Sequence, residues 1–193
     1  MTTKSRAMLI EQIRNNLAGG MAPITFNPSI REVGIRVDQV ANAIIRINCE
    51  NDGGVACGDY YTAYENIAIL KDAGLNKYYC VLPAKVISLS NQKGVWQVST
   101  MQDQSEPFTS IGTQGASIFK DDLYDLLQDE AGYYYEQGRL FFENYNPVQN
   151  TDTLLLKLIV DRSVFSDEED YCVPPDIEDL IVEKVMLTYR PGK

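Results

Sequence analysis

Apolar positions recur at helical spacing in two stretches of the first fifty residues. The first stretch begins at Ser5, and its apolar positions are Leu9, Ile10, Ile13 and Leu17. Gly19-Gly20 follows it as a helix stop. The second stretch ends near Cys49, and its apolar positions are Val40, Ala41, Ile44 and Ile45. These patterns predict two amphipathic N-terminal helices, with Asp38 as the N-cap of the second.

The middle of the chain changes to short β-prone runs separated by turn residues. Residues 66–71 and 77–82 flank Asp72-Ala73-Gly74 and predict a first hairpin. Residues 133–135 and 140–142 are aromatic runs on either side of Gln137-Gly138, which predicts a second hairpin.

Two further strands are predicted outside the hairpins. One covers residues 95–98, just after the turn residues Asn91 to Gly94. The other covers residues 153–160, an apolar run interrupted by Lys157 that is typical of a central strand. Residues 119–127 suit a helical turn. The composition of residues 102–115, rich in Ser, Thr, Gln and Gly, predicts an extended arm or loop.

A last helix is predicted after Pro174-Pro175-Asp176. Its apolar positions are Ile177, Leu180, Ile181 and Val185, and the acids in its first turn favour a helix N-terminus electrostatically. The order of the elements predicts an α+β fold with N-terminal amphipathic helices, a mostly antiparallel sheet with two hairpins, and a C-terminal helix. Residues 1–193 are expected to form a single structural domain.

The charge of the chain argues against binding to nucleic acid. It has 17 Lys and Arg against 27 Asp and Glu, a formal net charge of -10. A negative surface repels phosphates instead of gripping them. No run is long and apolar enough to span a membrane, and the first residues lack the pattern of a secretory signal. We therefore expect a protein of the cytoplasm without a membrane partner.

The residue types missing from the chain limit the chemistry it can perform. It has no histidine, which removes Ser-His-Asp and Cys-His nucleophile pairs and imidazole bases. No glycine pattern suits a phosphate-binding loop. No CxxC pair occurs among Cys49, Cys57, Cys80 and Cys172, so free buried thiols are expected. The sequence predicts no catalytic residue, no bound metal and no cofactor.

An acidic cluster in the last third of the chain is the strongest candidate for a site. Its members are Asp167, Glu168, Glu169, Asp170, Asp176, Glu178, Asp179 and Glu183. Clustered carboxylates can bind hard cations or supply an acid and a base, so a small carboxylate-dependent hydrolase or metal-binding protein is the alternative function. The EF-hand pattern is absent, and a solvated acidic surface is favoured.

Three segments carry a resemblance to a family of tailed-phage proteins. They are Tyr79-Cys80-Val81-Leu82-Pro83-Ala84, Lys93-Gly94-Val95-Trp96-Gln97-Val98 and Val173-Pro174-Pro175-Asp176. Together with the first helix and the tyrosine-rich middle, they resemble the ring and head–tail connector proteins of the neck and tail barrel in crAss-like podoviruses. The resemblance extends along nearly the whole chain.

The resemblance implies a structural role in the virion. The chain would be one subunit of a homo-oligomeric ring, of twelve copies, that joins the portal to other tail ring proteins. The genome would pass through the ring without specific binding. The family implies no catalytic residue, so the expected protein is not an enzyme. It would be located in the virion neck or tail, and in the host cytoplasm during assembly. The acidic cluster would then face the lumen or a neighbouring subunit.

Overall fold

The fold is described from a computed structural model of the chain. The structure describes residues 4–19, 28–51, 55–90, 94–112, 131–145 and 153–189. The helical turn predicted over residues 119–127 lies outside the described residues.

The chain divides into two compact units. Unit 1 is formed by Met1–Tyr60 and Val160–Lys193, and unit 2 by Tyr61–Ile159. The chain therefore leaves unit 1 once and returns to it once. The expectation that residues 1–193 form one domain stays a prediction.

Three helices form the core of unit 1: α1 (Arg6–Gly19), α2 (Ile30–Asn51) and α3 (Pro175–Tyr189). The sequence pattern predicted all three helices, and the structure confirms them. Each helix buries one apolar stripe against the other two, as the helical spacing requires. The fully buried members include Leu9, Ile13, Val33, Val37, Ala41, Ile45, Ile181 and Val185.

The start of α2 differs from the sequence prediction. Asp38 was expected to cap the helix, but α2 begins at Ile30, about two turns earlier. Ser29 is the capping residue, since its Oγ accepts a hydrogen bond of 3.1 Å from the backbone N–H of Glu32. Ser29 and Glu32 have the spacing of a capping box, a signal present in the sequence. Asp38 instead lies inside the helix and is buried.

The strands described in unit 2 form two sheets. The strands are β1 (Thr62–Ala68), β2 (Leu70–Asp72), β3 (Lys77–Val81), β4 (Val95–Thr100), β5 (Thr109–Ser110), β6 (Gly132–Glu136), β7 (Arg139–Glu143) and β8 (Thr153–Leu158). One sheet has the order β1-β8-β4 and the other β2-β3-β7-β6-β5. Among these strands every pair is antiparallel except β5 with β6, which is parallel. The α+β class and the mostly antiparallel pairing are thus as predicted.

The second hairpin and the central strand have the predicted arrangement. In the hairpin, Tyr134 lies opposite Phe141, and the turn residues Gln137 and Gly138 both have positive φ, 50° and 81°. Two positive φ values in succession are the requirement of a tight hairpin turn. The strand β8 lies between β1 and β4, and its leucines are almost completely buried.

The first hairpin is shorter than the sequence predicts. The run 66–71 was expected to pair with 77–82, but the chain passes from one sheet to the other at Ile69. Before this point β1 pairs with β8, and only β2 pairs with β3. A register shift between Tyr64 and Ile67 accompanies the change, and Asn66 there has a φ of 57°. Such a bulge bends a strand away from its first sheet.

Candidate functional site

The acidic cluster occupies two exposed segments of unit 1. All its members except one are exposed: Asp167, Glu168, Glu169, Asp170, Asp176, Asp179 and Glu183. The first four lie in the loop before α3, and the last three lie along one side of α3 at positions i, i+3 and i+7. The cluster is therefore a surface, with one exception.

Glu178 is the exception, because only 3% of its surface is exposed. Its Oε1 accepts a hydrogen bond of 2.7 Å from the backbone N–H of Lys4, and its Oε2 lies 3.4 Å from the Lys4 Nζ. A buried carboxylate is tolerated when a cation and an N–H donor compensate its charge. Glu178 thus fastens the segment before α1 to α3, and it is not part of the exposed acidic surface.

The loop of the cluster is held against the start of α1. The backbone N–H of Ala7 donates to the carbonyl of Asp167 over 3.0 Å, and Ser5 forms a β-bridge with Asp170. The side chain of Asp167 also pairs with Arg6. Glu169 accepts a hydrogen bond of 2.7 Å from the backbone N–H of Ser166. These contacts fix the backbone conformation of the acidic loop.

A buried polar network adjoins this loop at Arg6, and no sequence pattern predicted it. Arg6 forms two hydrogen bonds with the Asp38 carboxylate, of 3.0 and 2.9 Å. The Tyr171 hydroxyl donates to the same carboxylate over 2.6 Å. Asp38 raises the pKa of Arg6, and burial together with the Asp38 charge raises the pKa of Tyr171. Both partners therefore keep the proton that the network needs.

Gly34 leaves room for this network. A Cβ at Gly34 would lie 2.6 Å from Nη2 of Arg6, closer than any ordinary contact. Gly34 precedes Asp38 by four residues on α2, so it lies on the same face one turn earlier. A glycine followed by an aspartate four residues later is the sequence signal that could have indicated this network. The pattern is not specific.

Arg162 forms a second buried polar centre in unit 1. Its side chain is completely buried, and its Nη1 and Nη2 donate to the carbonyls of Tyr171 and Tyr60 over 3.1 and 2.8 Å. Its backbone N–H donates to the side chain of Asn42 over 2.9 Å. Arg162 thus joins three segments that are distant in sequence. These three bonds go to neutral oxygens within the fold, which is the pattern of a structural arginine.

The predicted arm is only partly an exposed loop. Residues 102–107 are exposed, but Phe108 donates from its backbone to Val98 over 2.7 Å, and β5 pairs with β6. Residues 113–115 lie outside the described residues. A shallow hollow of about 450 Å³ lies beside the loop, with Trp96, Gln104 and Phe108 in its wall. The surface available for contact is therefore residues 102–107.

One face of the five-stranded sheet carries an aromatic group with a charged pair. The rings of Tyr134 and Phe141 are stacked with centroids 5.4 Å apart. Lys77 Nζ lies 5.1 Å from the Tyr134 ring centroid and pairs with Glu143. Burial lowers the pKa of Lys77, but the hydrogen bonds and charges of Glu143 and Tyr134 together outweigh it, and the net pKa is raised. These contacts hold β3, β6 and β7 together.

The cysteines correct one expectation. Cys49 at the end of α2 and Cys57 in the short 3-10 helix Val55–Asp59 form a disulfide, with Cα atoms 5.0 Å apart. The expectation of free thiols was therefore wrong for this pair. Cys80 and Cys172 are free, and burial raises the pKa of Cys80 to about 12. The eight-residue spacing of Cys49 and Cys57 matches no motif that would have indicated the bond.

The described residues contain neither a metal-binding cluster nor a membrane-spanning helix. Within those residues, no group of three or more histidine, cysteine, aspartate or glutamate side chains could hold a metal ion. None of the helices described is long and apolar enough to cross a membrane.

Comparison with known proteins gives no assignment. No protein-family model matches the chain, and no curated protein matches it significantly.

Proposed function

We propose that the chain is a virion structural protein, one subunit of an oligomeric ring in the neck or tail of a short-tailed phage. The ring joins the portal to the tail and surrounds the channel through which the DNA leaves. The subunit performs no reaction and needs no cofactor. The observation that carries the proposal is the exposed acidic surface of unit 1, formed by the loop 167–170 and by the side of α3 that bears Asp176, Asp179 and Glu183.

The acidic surface suits the wall of a DNA channel. Carboxylates repel the phosphates of a passing duplex, so DNA can slide past without being bound. The formal net charge of -10 has the same effect over the whole subunit. Because the backbone contacts of the loop to α1 hold these acids in place, a ring of copies would present a regular negative lining.

Apolar side chains on the outside of the helices support the role of a building block. Large apolar residues that are 46–59% exposed include Met8 on α1, Ile35 and Ile47 on α2, and Leu187 on α3. Such side chains gain free energy when another protein covers them. The partners of the ring are further copies of this chain, the portal and other tail ring proteins. We expect twelve copies in each ring, as in the family that the sequence resembles.

The test is the composition and structure of the phage particle. Purified particles of the phage that encodes the chain should contain it at a fixed number of copies relative to the portal, measured by quantitative mass spectrometry. A cryo-electron microscopy map of the neck and tail should show it as a closed ring. Absence from purified particles, or a chain that stays monomeric with portal and tail proteins present, would contradict the proposal.

The same map tests the acidic lining separately. We expect Asp176, Asp179 and Glu183 to face the channel or an adjacent subunit. If they point to the outer surface of an otherwise correct ring, the ring function stands and the role of the carboxylates at the channel is wrong.

A further inference from the structure

A disulfide joins the end of α2 to the segment that follows it in unit 1. Cys49 lies in the last turn of α2, and Cys57 lies in the 3-10 helix Val55–Asp59. Both cysteines are completely buried. Tyr60, which follows this 3-10 helix, is the last residue of the first part of unit 1. The disulfide therefore fixes the end of this part of the chain onto α2.

Contacts that do not depend on the disulfide hold the same segment in place. The side-chain amide of Asn48 donates to the Tyr60 hydroxyl over 2.8 Å, and Arg162 Nη2 donates to the Tyr60 carbonyl over 2.8 Å. The backbone N–H of Tyr60 donates to the carbonyl of Cys57 over 3.1 Å. The side chain of Tyr60 is buried. None of these contacts involves a sulfur atom, so they remain when the disulfide is reduced.

The two sulfurs lie in elements that open locally at a low cost in free energy. Cys49 is near a helix end, where helices fray. Cys57 lies in a 3-10 helix of five residues, and hydrogen bonds in such a helix have poorer geometry than in an α-helix. Cys80 is equally buried but lies on β3, between β2 and β7. Exposure of Cys80 requires the separation of paired strands, whereas exposure of Cys57 requires the opening of one turn.

We propose that Cys49 and Cys57 form a redox switch, which is a dithiol during assembly in the host cell and a disulfide in the finished particle. This inference rests on the proposed function, which places assembly in a host cytoplasm that keeps thiols reduced. The subunit folds and joins its ring with two thiols. The oxidant is a small disulfide of the glutathione class, which the particle meets outside that compartment.

The switch closes in two steps of thiol–disulfide exchange. First, the Cys57 thiolate attacks one sulfur of glutathione disulfide. A bond forms between Cys57 and that glutathione, and the other glutathione leaves as a thiolate and takes up a proton. The Cys49 thiolate then attacks Cys57 Sγ, the bond between Cys49 and Cys57 forms, and the second glutathione leaves in the same way. Two protein thiols lose two electrons and two protons, and glutathione disulfide is reduced to two thiols.

The disulfide converts a segment that can open into one that is covalently closed. In the dithiol form, residues 57–60 are held by hydrogen bonds and burial alone. In the disulfide form, Cys57 stays beside Cys49, with Cα atoms 5.0 Å apart. A crosslink restricts the unfolded chain and so stabilises the folded one. Unit 1 therefore becomes more resistant to unfolding after assembly is complete.

The first experiment measures the exchange in the full-length chain. One sample starts reduced and another starts oxidised, and both are placed in the same series of glutathione thiol-to-disulfide ratios. After acid quenching and alkylation, mass spectrometry measures the disulfide fraction of Cys49 and Cys57. We expect the same fraction from both starting states, with a folded circular dichroism spectrum throughout. A reduced chain that is unfolded, or a fraction that depends on the starting state, would overturn the switch.

The rate of alkylation in the folded, reduced chain tests the access to the pair. We expect N-ethylmaleimide to modify Cys57 at least about tenfold faster than Cys80, because one turn opens more often than a paired strand. Equal rates would contradict the switch, since the pair would then be as inaccessible as a thiol within a sheet.

Cys172→Ser is the control for the choice of partners. Cys172 is a free, half-buried thiol outside the pair. We expect its replacement to leave the disulfide fraction at every glutathione ratio unchanged. A changed fraction would show that Cys172 takes part in the exchange, which would overturn the assignment of the switch to Cys49 and Cys57.

The second experiment follows the pair from the infected cell to the particle. Infected cells and purified particles are quenched in acid, and their free thiols are alkylated before mass spectrometry. We expect the ratio of disulfide to dithiol to rise by about tenfold or more from cells to particles. An equal ratio in both samples overturns the switch and leaves the ring function standing. Absence of the chain from purified particles contradicts the ring function, and the assembly order of the switch fails with it.

Discussion

Arg6 and Asp38 are joined by two parallel hydrogen bonds, 3.0 Å from Nε to Oδ1 and 2.9 Å from Nη2 to Oδ2. The pair connects the first residue of α1 to the middle of α2, and both side chains are largely withdrawn from solvent. The Tyr171 hydroxyl shares the same carboxylate. The carboxylate of Asp38 is thus the common acceptor of two donors, the Arg6 guanidinium and the Tyr171 hydroxyl. Removal of this carboxylate removes that acceptor from both groups.

Replacement of Asp38 by alanine should therefore be strongly destabilising. We expect the free energy of unfolding to fall by about 3 kcal/mol, because the buried Tyr171 hydroxyl loses its acceptor and Arg6 keeps only its pair with the exposed Asp167. Urea unfolding followed by circular dichroism measures the change. Asp167→Ala is the matched control, since that carboxylate also pairs with Arg6 but is 56% exposed, and it should cost about 1 kcal/mol or less. Equal effects of the two substitutions would show that burial of the pair is not important.

Gly34→Ala should change the stability in opposite directions in two backgrounds. In the wild type, the new Cβ would lie 2.6 Å from Nη2 of Arg6 and displace it from Asp38, so we expect a loss of about 1 kcal/mol or more. In an Arg6→Ala background that conflict is absent. The same substitution should then stabilise by about 0.5 to 1 kcal/mol through the higher helix propensity of alanine.

Urea unfolding of the four chains forms a double-mutant cycle for this prediction. Gly19→Ala is a control, because a Cβ at Gly19 would have no atom within 4 Å. If Gly34→Ala changes the free energy of unfolding equally with and without the Arg6 side chain, Gly34 has no role in the network.

The disulfide should determine how many thiols react in the unfolded chain, and its removal should lower the stability of the fold. Unfolded without a reductant, the chain should react with Ellman's reagent at two thiols, Cys80 and Cys172, and after reduction at four. Cys49→Ser with Cys57→Ser should lower the free energy of unfolding by about 2 to 3 kcal/mol, the chain-entropy value for so short a loop. Four reactive thiols before reduction, in protein purified under oxidising conditions, would contradict the disulfide.

Cys80 should give a stability loss at alkaline pH. Burial raises the pKa of its thiol from 9.0 to about 12, so the unfolded chain releases this proton at a lower pH than the folded chain. The contribution is full below pH 9 and is lost as the pH rises toward 12, by up to about 1.4 kcal/mol per pH unit.

The measurement compares Cys80→Ala with its parent, both carrying Cys49→Ser, Cys57→Ser and Cys172→Ser, so that no disulfide is present for the Cys80 thiolate to attack. The stability difference between the two chains should shift by about 1 kcal/mol between about pH 9 and pH 10, in favour of the alanine variant. A difference that does not change with pH would mean that the thiol ionises as easily in the folded chain as in the unfolded one.

The sequence predicted the elements whose signal is local. The three helices follow from their apolar spacing, and the second hairpin follows from aromatic runs on either side of Gln137-Gly138. In both cases neighbouring residues determine the structure. The position of β8 at the centre of a sheet was also predicted, because a strand buried on both faces must be apolar along its length.

The features that the sequence did not predict depend on residues distant from one another. Asp38 resembles an N-cap when only its neighbours are considered, and its true partner, Arg6, is 32 residues away. The division of the run 66–71 between two sheets requires β8, which lies far along the chain, as the partner of β1. The candidate acids were predicted as a group, but the burial of Glu178 depends on Lys4 at the other end of the chain.

Arg162 has a consequence for the construction of the protein. Its bond to the carbonyl of Tyr60 holds the last residue of the first segment of unit 1 next to the beginning of the returning segment. Unit 2 is therefore arranged like an insertion into unit 1. The two points of unit 1 at which the chain leaves and returns are held together by a bond within unit 1. We therefore expect that a short flexible linker in place of Tyr61–Ile159 can connect the two segments of unit 1.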